Sequence, residues 1–233
     1  MSVSLRCYST SLGCPKNRVD TERLLGSLGV ALVPVESPDE AELVFINTCA
    51  FIQPATEESV RTIAQAIADI EELPKRPLLA VAGCLVGRYH AEDLAPELPE
   101  VDLWLDNSDL EAWPAMLARK LGLPEPTVPG RILSTGPSYA WLKISDGCRH
   151  ACSFCAIPNI RGGHRSHCKD MIVREARALL DQGVKELNLV AQDLTEWGCD
   201  LDGKQDLRTL LDGLLPLQGL ERLRLMYLYP AGM

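Results

Sequence analysis

Three closely spaced cysteines are the residues of this sequence with the most evident chemistry. Cys148, Cys152 and Cys155 follow the spacing C-x3-C-x2-C within SDGCRHACSFCAIPNIRG, residues 145–162. A structural zinc site or a cubane iron–sulfur cluster normally takes four protein ligands. Three thiolates leave one metal position open, and an open position distinguishes a chemically active metal site from a structural one. A small molecule with an amine and a carboxylate could fill it.

A second group of three cysteines lies in the first half of the chain. Cys14, Cys49 and Cys84 each stand at or just after the end of an apolar run, and successive members are 35 residues apart. That step is about the length of one βαβ unit. Because the carboxyl ends of parallel strands share one edge of a sheet, we expect the three thiols to converge there. The alternative is three unrelated buried cysteines.

Zinc is the competing occupant of the C-x3-C-x2-C loop. Four nearby side chains offer a fourth ligand, namely His150, His164, His167 and Cys168. A structural zinc site usually pairs two CxxC-like clusters, and this sequence has no second one, so the spacing favours iron and sulfur. We interpret Cys7 and Cys199 as small hydrophobic residues of the interior.

The bulk properties narrow the class of protein. The net charge of −9 gives no electrostatic reason to expect nucleic acid, since phosphate binding needs a basic surface. No apolar stretch is long enough to cross a membrane. Nine cysteines cannot all pair, and a reducing compartment disfavours disulfides. We therefore expect a cytoplasmic protein without a membrane partner.

The elements around the first cysteines predict an open parallel, Rossmann-like α/β sheet. Apolar runs at residues 3–14, 43–49 and 77–84 alternate with helical periodicity. Between the last two runs, the spacing predicts a helix that begins near Glu57 and Glu58. Its buried face is expected to carry four residues, Val60, Ile63, Ile67 and Ile70.

After a stretch rich in Pro and Gly, the βα pattern starts again. Strands are predicted at 139–145, 185–193 and 222–230, with a helix that Asp170 caps and Gly183 ends. Three strands are only the first part of a βα barrel and cannot close one. We therefore expect a truncated chain with an N-terminal domain at 1–122, a linker at 123–136 and a partial barrel at 137–233.

Five sequence blocks carry a resemblance to a known family. They are SLGCPKNRVDTE, NTCAFI, AGCLVGRY, WLKISDGCRHACSFCAIPNIRG and MYLYP. On these blocks the chain is identified as a member of the radical S-adenosylmethionine (AdoMet) methylthiotransferases. LGCPKN and YLYP are similar to the RimO-type branch, which modifies an aspartate of ribosomal protein uS12.

The resemblance implies an enzyme with two 4Fe–4S clusters. Cys148, Cys152 and Cys155 would hold the cluster that binds AdoMet and cleaves it to a 5'-deoxyadenosyl radical. The radical would take hydrogen from the aspartate β-carbon. Three further cysteines would hold an auxiliary cluster that carries the sulfur to be inserted, namely Cys14, Cys49 and Cys84. A low-potential electron donor would reduce the clusters.

The resemblance also implies AdoMet contacts and missing parts. Phe154 would lie near the adenine, the alternative being simple packing, and Gln192 and Asp193 would meet the AdoMet amine. The rest of the barrel and the family's C-terminal TRAM domain are absent from the sequence, so we expect little turnover from this chain alone.

Two other functions remain open. The first is the same chemistry on a tRNA adenosine, which the acidic chain and the LGCPKN block disfavour. The second is a non-catalytic module that binds zinc, or an iron–sulfur protein that only transfers electrons.

Overall fold

The computed structural model describes residues 4–203 and 205–230. The chain divides into two compact units, Met1–Ile132 and Leu133–Met233. The predicted domain ends at residues 1 and 233 lie outside the described residues. Part of the predicted linker packs on the first unit, because the Gly130 N–H donates to Ser27 Oγ at 3.1 Å and Arg131 pairs with buried Glu22 at 2.7 Å.

The first unit is an α/β layer structure with one parallel sheet. Its elements are β1 Ser4–Ser11, α1 Pro15–Ser27, β2 Ala31–Pro34, β3 Leu43–Thr48, α2 Gln53–Ile70, β4 Leu78–Gly83, α3 Cys84–Tyr89, α4 Ala91–Leu94, β5 Leu103–Leu105 and α5 Trp113–Leu121. The five strands lie in the order β2-β1-β3-β4-β5, and every pair is parallel. The predicted open parallel sheet is therefore confirmed.

Apolar side chains cover both faces of this sheet. One face packs β1, β3 and β4 against apolar residues of α1 and α5, among them the fully buried Trp113. Val44 and Ile46 point to the other face of β3 and are also fully buried. All six residues of β3 are buried, as expected for a central strand covered on both faces.

Helix α2 begins earlier than predicted, and its buried face is rotated. It begins at Gln53, with Pro54 in the first turn, so Glu57 and Glu58 lie beyond that turn. Its buried stripe consists of Thr56, Ser59, Ile63, Ala66 and Ile70. Val60, which the apolar pattern placed on the buried face, is exposed. The small and hydroxyl side chains of Thr56, Ser59 and Ala66 lie on the buried face instead.

The second unit contains a smaller parallel sheet. Its elements are β6 Tyr139–Lys143, β7 Ser145–Asp146, α6 Ile157–Arg161, β8 Arg165–Ser166, α7 Lys169–Asp181, β9 Glu186–Val190, α8 Leu207–Leu214 and β10 Arg222–Leu225. The order β10-β9-β6 places the three predicted strands side by side in parallel. Strands β7 and β8 form a short antiparallel pair.

Helix α7 covers the small sheet and corrects one predicted cap. Ile172, Ala176 and Leu179 are buried in the core that β6 and β9 share. Asp170 lies within the first turn, and Cys168 occupies the N-cap position. The helix ends before Gly183, which has a positive φ of 93°.

Within the described ranges, no helix combines the length and the apolar character that a membrane span requires.

Candidate iron–sulfur sites

The carboxyl edge of the first sheet carries the N-terminal cysteines. Cys14 follows β1 at the N-cap of α1, Cys49 follows β3 directly, and Cys84 follows β4 as the first residue of α3. Cys84 is buried, whereas Cys14 and Cys49 are partly exposed. The three thiols therefore leave adjacent strands at the same end of the sheet.

Asn17 connects these strand ends. Its buried amide nitrogen donates to Leu12 O at 2.9 Å and to Thr48 O at 2.7 Å. Its amide oxygen lies 4.0 Å from the Cys14 sulfur and 3.8 Å from the Cys84 sulfur, so both thiols donate to one acceptor. One side chain thus brings Cys14 and Cys84 together.

Cys49 is fixed from both sides of its backbone. Its N–H donates to Ser59 Oγ at 3.0 Å, and the same hydroxyl donates to Cys49 O at 2.6 Å. On the other side stands Gly13, whose φ is +81°, and a Cβ added there would lie 2.6 Å from the Cys49 sulfur. The glycine therefore provides the space that the Cys49 side chain occupies.

Amide groups also surround Cys84. Asn107 Nδ2 donates to the Cys84 sulfur at 3.7 Å, and its buried Oδ1 has no hydrogen-bond partner in the described part of the chain. The Oδ1 of Asn47, a fully buried residue of β3, likewise accepts no hydrogen bond from residues 4–203 or 205–230. N–H donors aimed at sulfur are groups that tune iron–sulfur clusters, so this edge fits a thiolate-bound metal group.

The second group of cysteines lies on a loop between β7 and α6. Cys152 is exposed, and Cys148 and Cys155 are partly exposed. The Cys155 N–H donates to Cys152 O at 3.0 Å, and the Cys148 N–H donates to Gly162 O at 3.3 Å. Burial raises the pKa of the Cys148 thiol, and the nearby Cys155, Asp193 and Cys152 raise it further. A cationic metal group would relieve this repulsion between thiolates.

A buried charged network holds the base of this loop. Asp146 accepts from Lys143 Nζ at 2.8 Å and from Arg161 Nη1 at 2.9 Å, and all three side chains are at most 5% exposed. His167 Nε2 lies 3.3 Å from the same carboxylate. Burial raises the pKa of Asp146, but Lys143, His167 and Arg161 outweigh burial and hold that pKa well below its usual value. The ion pairs of Asp146 therefore connect the two ends of the loop.

The end of β9 carries the two predicted polar residues, and the structure places them differently. Both amide atoms of Gln192 are shielded from solvent and have no hydrogen-bond partner among the described residues. Asp193 contacts His150 Nε2 at 2.8 Å and accepts from the Thr195 hydroxyl at 2.6 Å. Burial raises the pKa of Asp193, but these hydrogen bonds outweigh burial and lower it. Gln192 thus offers free polar atoms, whereas Asp193 holds His150 beside the cysteines.

Phe154 lies in the loop and is 87% exposed. Simple packing, the alternative considered for it, is therefore wrong. The interpretation of Cys199 as an interior residue is also wrong, because Cys199 is exposed. Cys7 is buried as predicted, and burial raises the pKa of its thiol to about 12.

The histidines and Cys168, considered as a fourth zinc ligand, have other surroundings. His150 contacts Asp193, His164 contacts Ser166, and His167 contacts Asp146. Cys168 is exposed at the start of α7.

Sequence reasoning did not identify Asn17, Ser59, Asn107 or the buried Asp146 network. Asn17 stands three residues after Cys14, in the first helical turn after the cysteine, and this spacing is the signal that could have identified it. Ser59 and Asn107 come close to their cysteines only through the fold. Nothing local in the sequence distinguishes them.

Known proteins match the chain over most of its length. Residues 6–106 match the family described as "Uncharacterized protein family UPF0004". The "Ribosomal protein uS12 methylthiotransferase RimO" of Nitratidesulfovibrio vulgaris is 69% identical over 97% of this chain and 53% of its own length. The protein of that name from Lawsonia intracellularis is 59% identical over 100% of this chain and 53% of its own length.

A solved structure also resembles the chain. It is the radical S-adenosylmethionine methyltransferase TsrM from Kitasatospora setae, solved with cobalamin and a 4Fe–4S cluster bound. The TM-score is 0.54, with 11% sequence identity, and the match covers 84% of this chain and 50% of TsrM. This likeness confirms the predicted fold class and is limited to the fold.

The similarity to the curated relatives covers only part of their length. This chain spans about half of their length, and its identity to them extends across both compact units. Over the part of those relatives that it spans, the chain is therefore similar at 59–69% identity to proteins named ribosomal protein uS12 methylthiotransferase RimO.

Proposed function

We propose that this chain is the cluster-binding part of a radical AdoMet methylthiotransferase that modifies the β-carbon of an aspartate in ribosomal protein uS12. The observation that carries the proposal is the presence of two three-thiol groups, one on a sheet edge and one on a loop, in a chain 69% identical to a protein of that name. Ribosomal protein as substrate also implies a cytoplasmic site of action.

The loop triad would hold the AdoMet-binding cluster. Cys148, Cys152 and Cys155 supply three thiolates and leave one iron position to a small molecule. When bound and reduced, a cluster with AdoMet supplies the one-electron chemistry that removes hydrogen from an unactivated carbon. The chain's own part is to hold the three sulfurs at the end of the small parallel sheet. The ion pairs of Asp146 at the base of the loop serve this purpose.

Side chains near the loop would orient AdoMet. The Gln192 amide, which no described residue pairs with, is suited to accept from the AdoMet amine and to donate to its carboxylate. Phe154 presents an exposed ring on which an adenine can stack. Asp193, whose carboxylate contacts His150 and Thr195, would act as a positioning residue by fixing His150 between Cys148 and Cys152.

The sheet-edge triad would hold the auxiliary 4Fe–4S cluster. Cys14, Cys49 and Cys84 again supply three thiolates, and the open iron position would take the sulfur to be inserted. Asn107 Nδ2 donates to the Cys84 sulfur, and such hydrogen bonds set a cluster's reduction potential. Asn17 Oδ1 accepts from both the Cys14 and the Cys84 thiols, so Asn17 would hold these two sulfurs together before a metal replaces their protons. A low-potential electron donor would be the reducing partner.

Anaerobic reconstitution with iron and sulfide tests the cofactors. We expect about eight irons per chain, four for each cluster. We also expect an EPR signal that changes when AdoMet is added. Zinc in the cysteine triads without iron uptake would overturn the proposal, and iron that never responds to AdoMet would indicate an electron-transfer module.

Mass spectrometry of uS12 and of tRNA tests the substrate. The chain extended to the full length of its relatives is co-expressed with uS12, and this chain alone is the parallel sample. We expect a methylthio group on an aspartate of uS12 with the extended protein and little modification with this chain. A methylthio group on a tRNA adenosine instead of on uS12 would show that the substrate is tRNA.

A further inference from the structure

A third group of potential metal ligands lies outside both cysteine triads. His164 stands just before β8, and Cys199 and Asp200 stand in the turns that follow β9. One ligand atom of each residue lies within 4.8 Å of the other two. The group combines an imidazole, a thiol and a carboxylate, and neither proposed cluster uses any of them.

Hydrogen bonds already fix two of these ligands. The His164 side chain is only 4% exposed, and its Nε2 lies 3.0 Å from Ser166 Oγ and 3.5 Å from Asp200 Oδ1. The Ser166 backbone N–H donates to Asp200 Oδ2 at 2.8 Å. Ser166 Oγ also accepts from the Gly198 N–H at 2.9 Å, which anchors the turn next to Cys199.

We propose that His164, Cys199 and Asp200 bind a zinc ion. Nitrogen, sulfur and carboxylate oxygen are the donor atoms that zinc takes in proteins, and three protein ligands leave the fourth tetrahedral position to water. Magnesium and calcium prefer oxygen ligands alone, and iron–sulfur clusters are held chiefly by thiolates. The mixed set therefore selects zinc over the metals of the two triads.

Binding exchanges a proton for a metal bond. Cys199 loses its thiol proton to solvent and forms a Zn–S bond, while neutral His164 and ionised Asp200 bind without further proton loss. Ser166, which holds Asp200 and Gly198, is a positioning residue. The bound ion would fasten the turn that follows Gln192 and Asp193 to β8, the strand that pairs with β7 ahead of the cysteine loop.

Zinc retention and X-ray absorption test the site. The chain is first reconstituted with iron and sulfide, then given one equivalent of zinc and desalted. We expect about one zinc per chain with iron content unchanged. The zinc edge should report one sulfur at about 2.3 Å and nitrogen or oxygen neighbours at about 2.0–2.1 Å.

Variants separate this site from the cysteine triads. Cys199→Ser should lose the retained zinc, and Ser166→Ala should weaken its affinity about 10–100-fold. Cys168→Ser is the matched control, because Cys168 is also an exposed cysteine but is not in the cluster, and it should retain zinc. Since the Cys199 thiol is exposed, its replacement leaves the core intact.

Two outcomes would overturn the zinc proposal. One is zinc with three sulfur neighbours, which would place the ion in a cysteine triad. The other is equal zinc retention in Cys199→Ser and the unsubstituted chain. Iron content and the AdoMet-dependent EPR signal are measured on the same samples, so failure of this site and failure of the proposed function give different results.

Discussion

Cys14, Cys49 and Cys84 come from three strands of one sheet, whereas Cys148, Cys152 and Cys155 occupy a single stretch of eight residues. The side chains around the first group are buried, namely Asn17, Ser59 and Asn107. Around the second group, Cys152 and Phe154 are exposed. The first site therefore depends on the completed fold, and the second depends mainly on local chain geometry.

The loop site still needs the fold at its base. Asp146 joins Lys143 and Arg161, which lie on either side of the cysteines in sequence, and β7 pairs with β8 across the same base. A Cβ at Gly147 would collide with the backbone oxygens of Gly162 and Gly163. In the first site, a different strand of the sheet positions each sulfur. In the second site, the ion pairs and the β7–β8 pair hold one loop at its two ends, and that loop carries all three sulfurs.

Removing each triad should produce the largest effect. Replacing Cys14, Cys49 and Cys84 with alanine is expected to remove about half of the iron and to leave the AdoMet-dependent EPR signal, since the loop supplies three sulfurs of its own. Replacing the loop triad should remove the other half and abolish the AdoMet response. Iron analysis and EPR measure both effects, with Cys168→Ala as the control. Loss of all iron from either variant would show that the sites are not independent.

Breaking the base of the loop should destabilise the second unit. Asp146→Asn removes the carboxylate shared by buried Lys143 and Arg161, and the loss of one partner from a buried ion pair costs about 3–5 kcal/mol. Denaturant unfolding measures the change. Glu221→Gln, which removes an exposed pair with Lys185, is the control and should leave the midpoint unchanged. Equal midpoints for all three proteins would contradict the importance of the network.

The same network predicts a dependence on pH. The folded pKa of Asp146 lies well below its usual value of 3.8, so the stabilisation is fully present above that value. It is lost as the pH falls through the folded pKa. Unfolding measured from neutral pH down through this range should therefore show a smaller acid-induced loss for Asp146→Asn. Identical slopes for the two proteins would argue against the depressed pKa.

Crowding the sheet-edge site should impair it selectively. Gly13→Ala places a Cβ 2.6 Å from the Cys49 sulfur and also forces alanine to a φ of +81°, which costs about 1–2 kcal/mol. Gly29→Ala is a matched control, because its φ is +68° but nothing lies within 4 Å of the added Cβ. We expect iron loss from the auxiliary site only in Gly13→Ala. Equal iron in both variants would show that Gly13 has no role beyond its backbone conformation.

Truncating the exposed ring should have the smallest structural effect. Phe154→Ala is expected to leave the unfolding midpoint unchanged, because the side chain is 87% exposed. AdoMet binding should weaken about tenfold, within the 1–3 kcal/mol typical of aromatic stacking on a base. Equilibrium binding to the reconstituted chain measures this. A large loss of stability with unchanged AdoMet affinity would show that Phe154 stabilises the fold and does not contact AdoMet.

The sequence predicted best where the signal is local or continuous. Buried strands such as β3 and β4 were recognised from unbroken apolar runs, and the loop cysteines from their spacing. Strands β2 and β5 were missed because they have only four and three residues, and β2 is largely exposed although its residues are apolar. Helix α2 was placed too late because its buried face includes Thr56 and Ser59, which a hydrophobic pattern does not register.

Side-chain partners were harder to predict than elements. Asn107 is 23 residues from Cys84, and Asp146 is 15 residues from Arg161, so only the folded chain shows these contacts. Buried charges are especially misleading in a sequence. Arg161 could equally be solvated, whereas the structure buries it against a carboxylate. Long-range polar contacts follow from topology, which residue patterns specify only in outline.

The scattered origin of the sheet-edge thiols has a consequence for the unfolded chain. A group bound by all three sulfurs would close two segments of 35 residues each, whereas the loop cysteines close only a few residues. In the chain-entropy description, longer closed segments restrict the unfolded ensemble more, by about 3–4 kcal/mol for a segment of this length. An occupied N-terminal site would thus act as a three-way cross-link between β1, β3 and β4, and the loop site would contribute little of this kind.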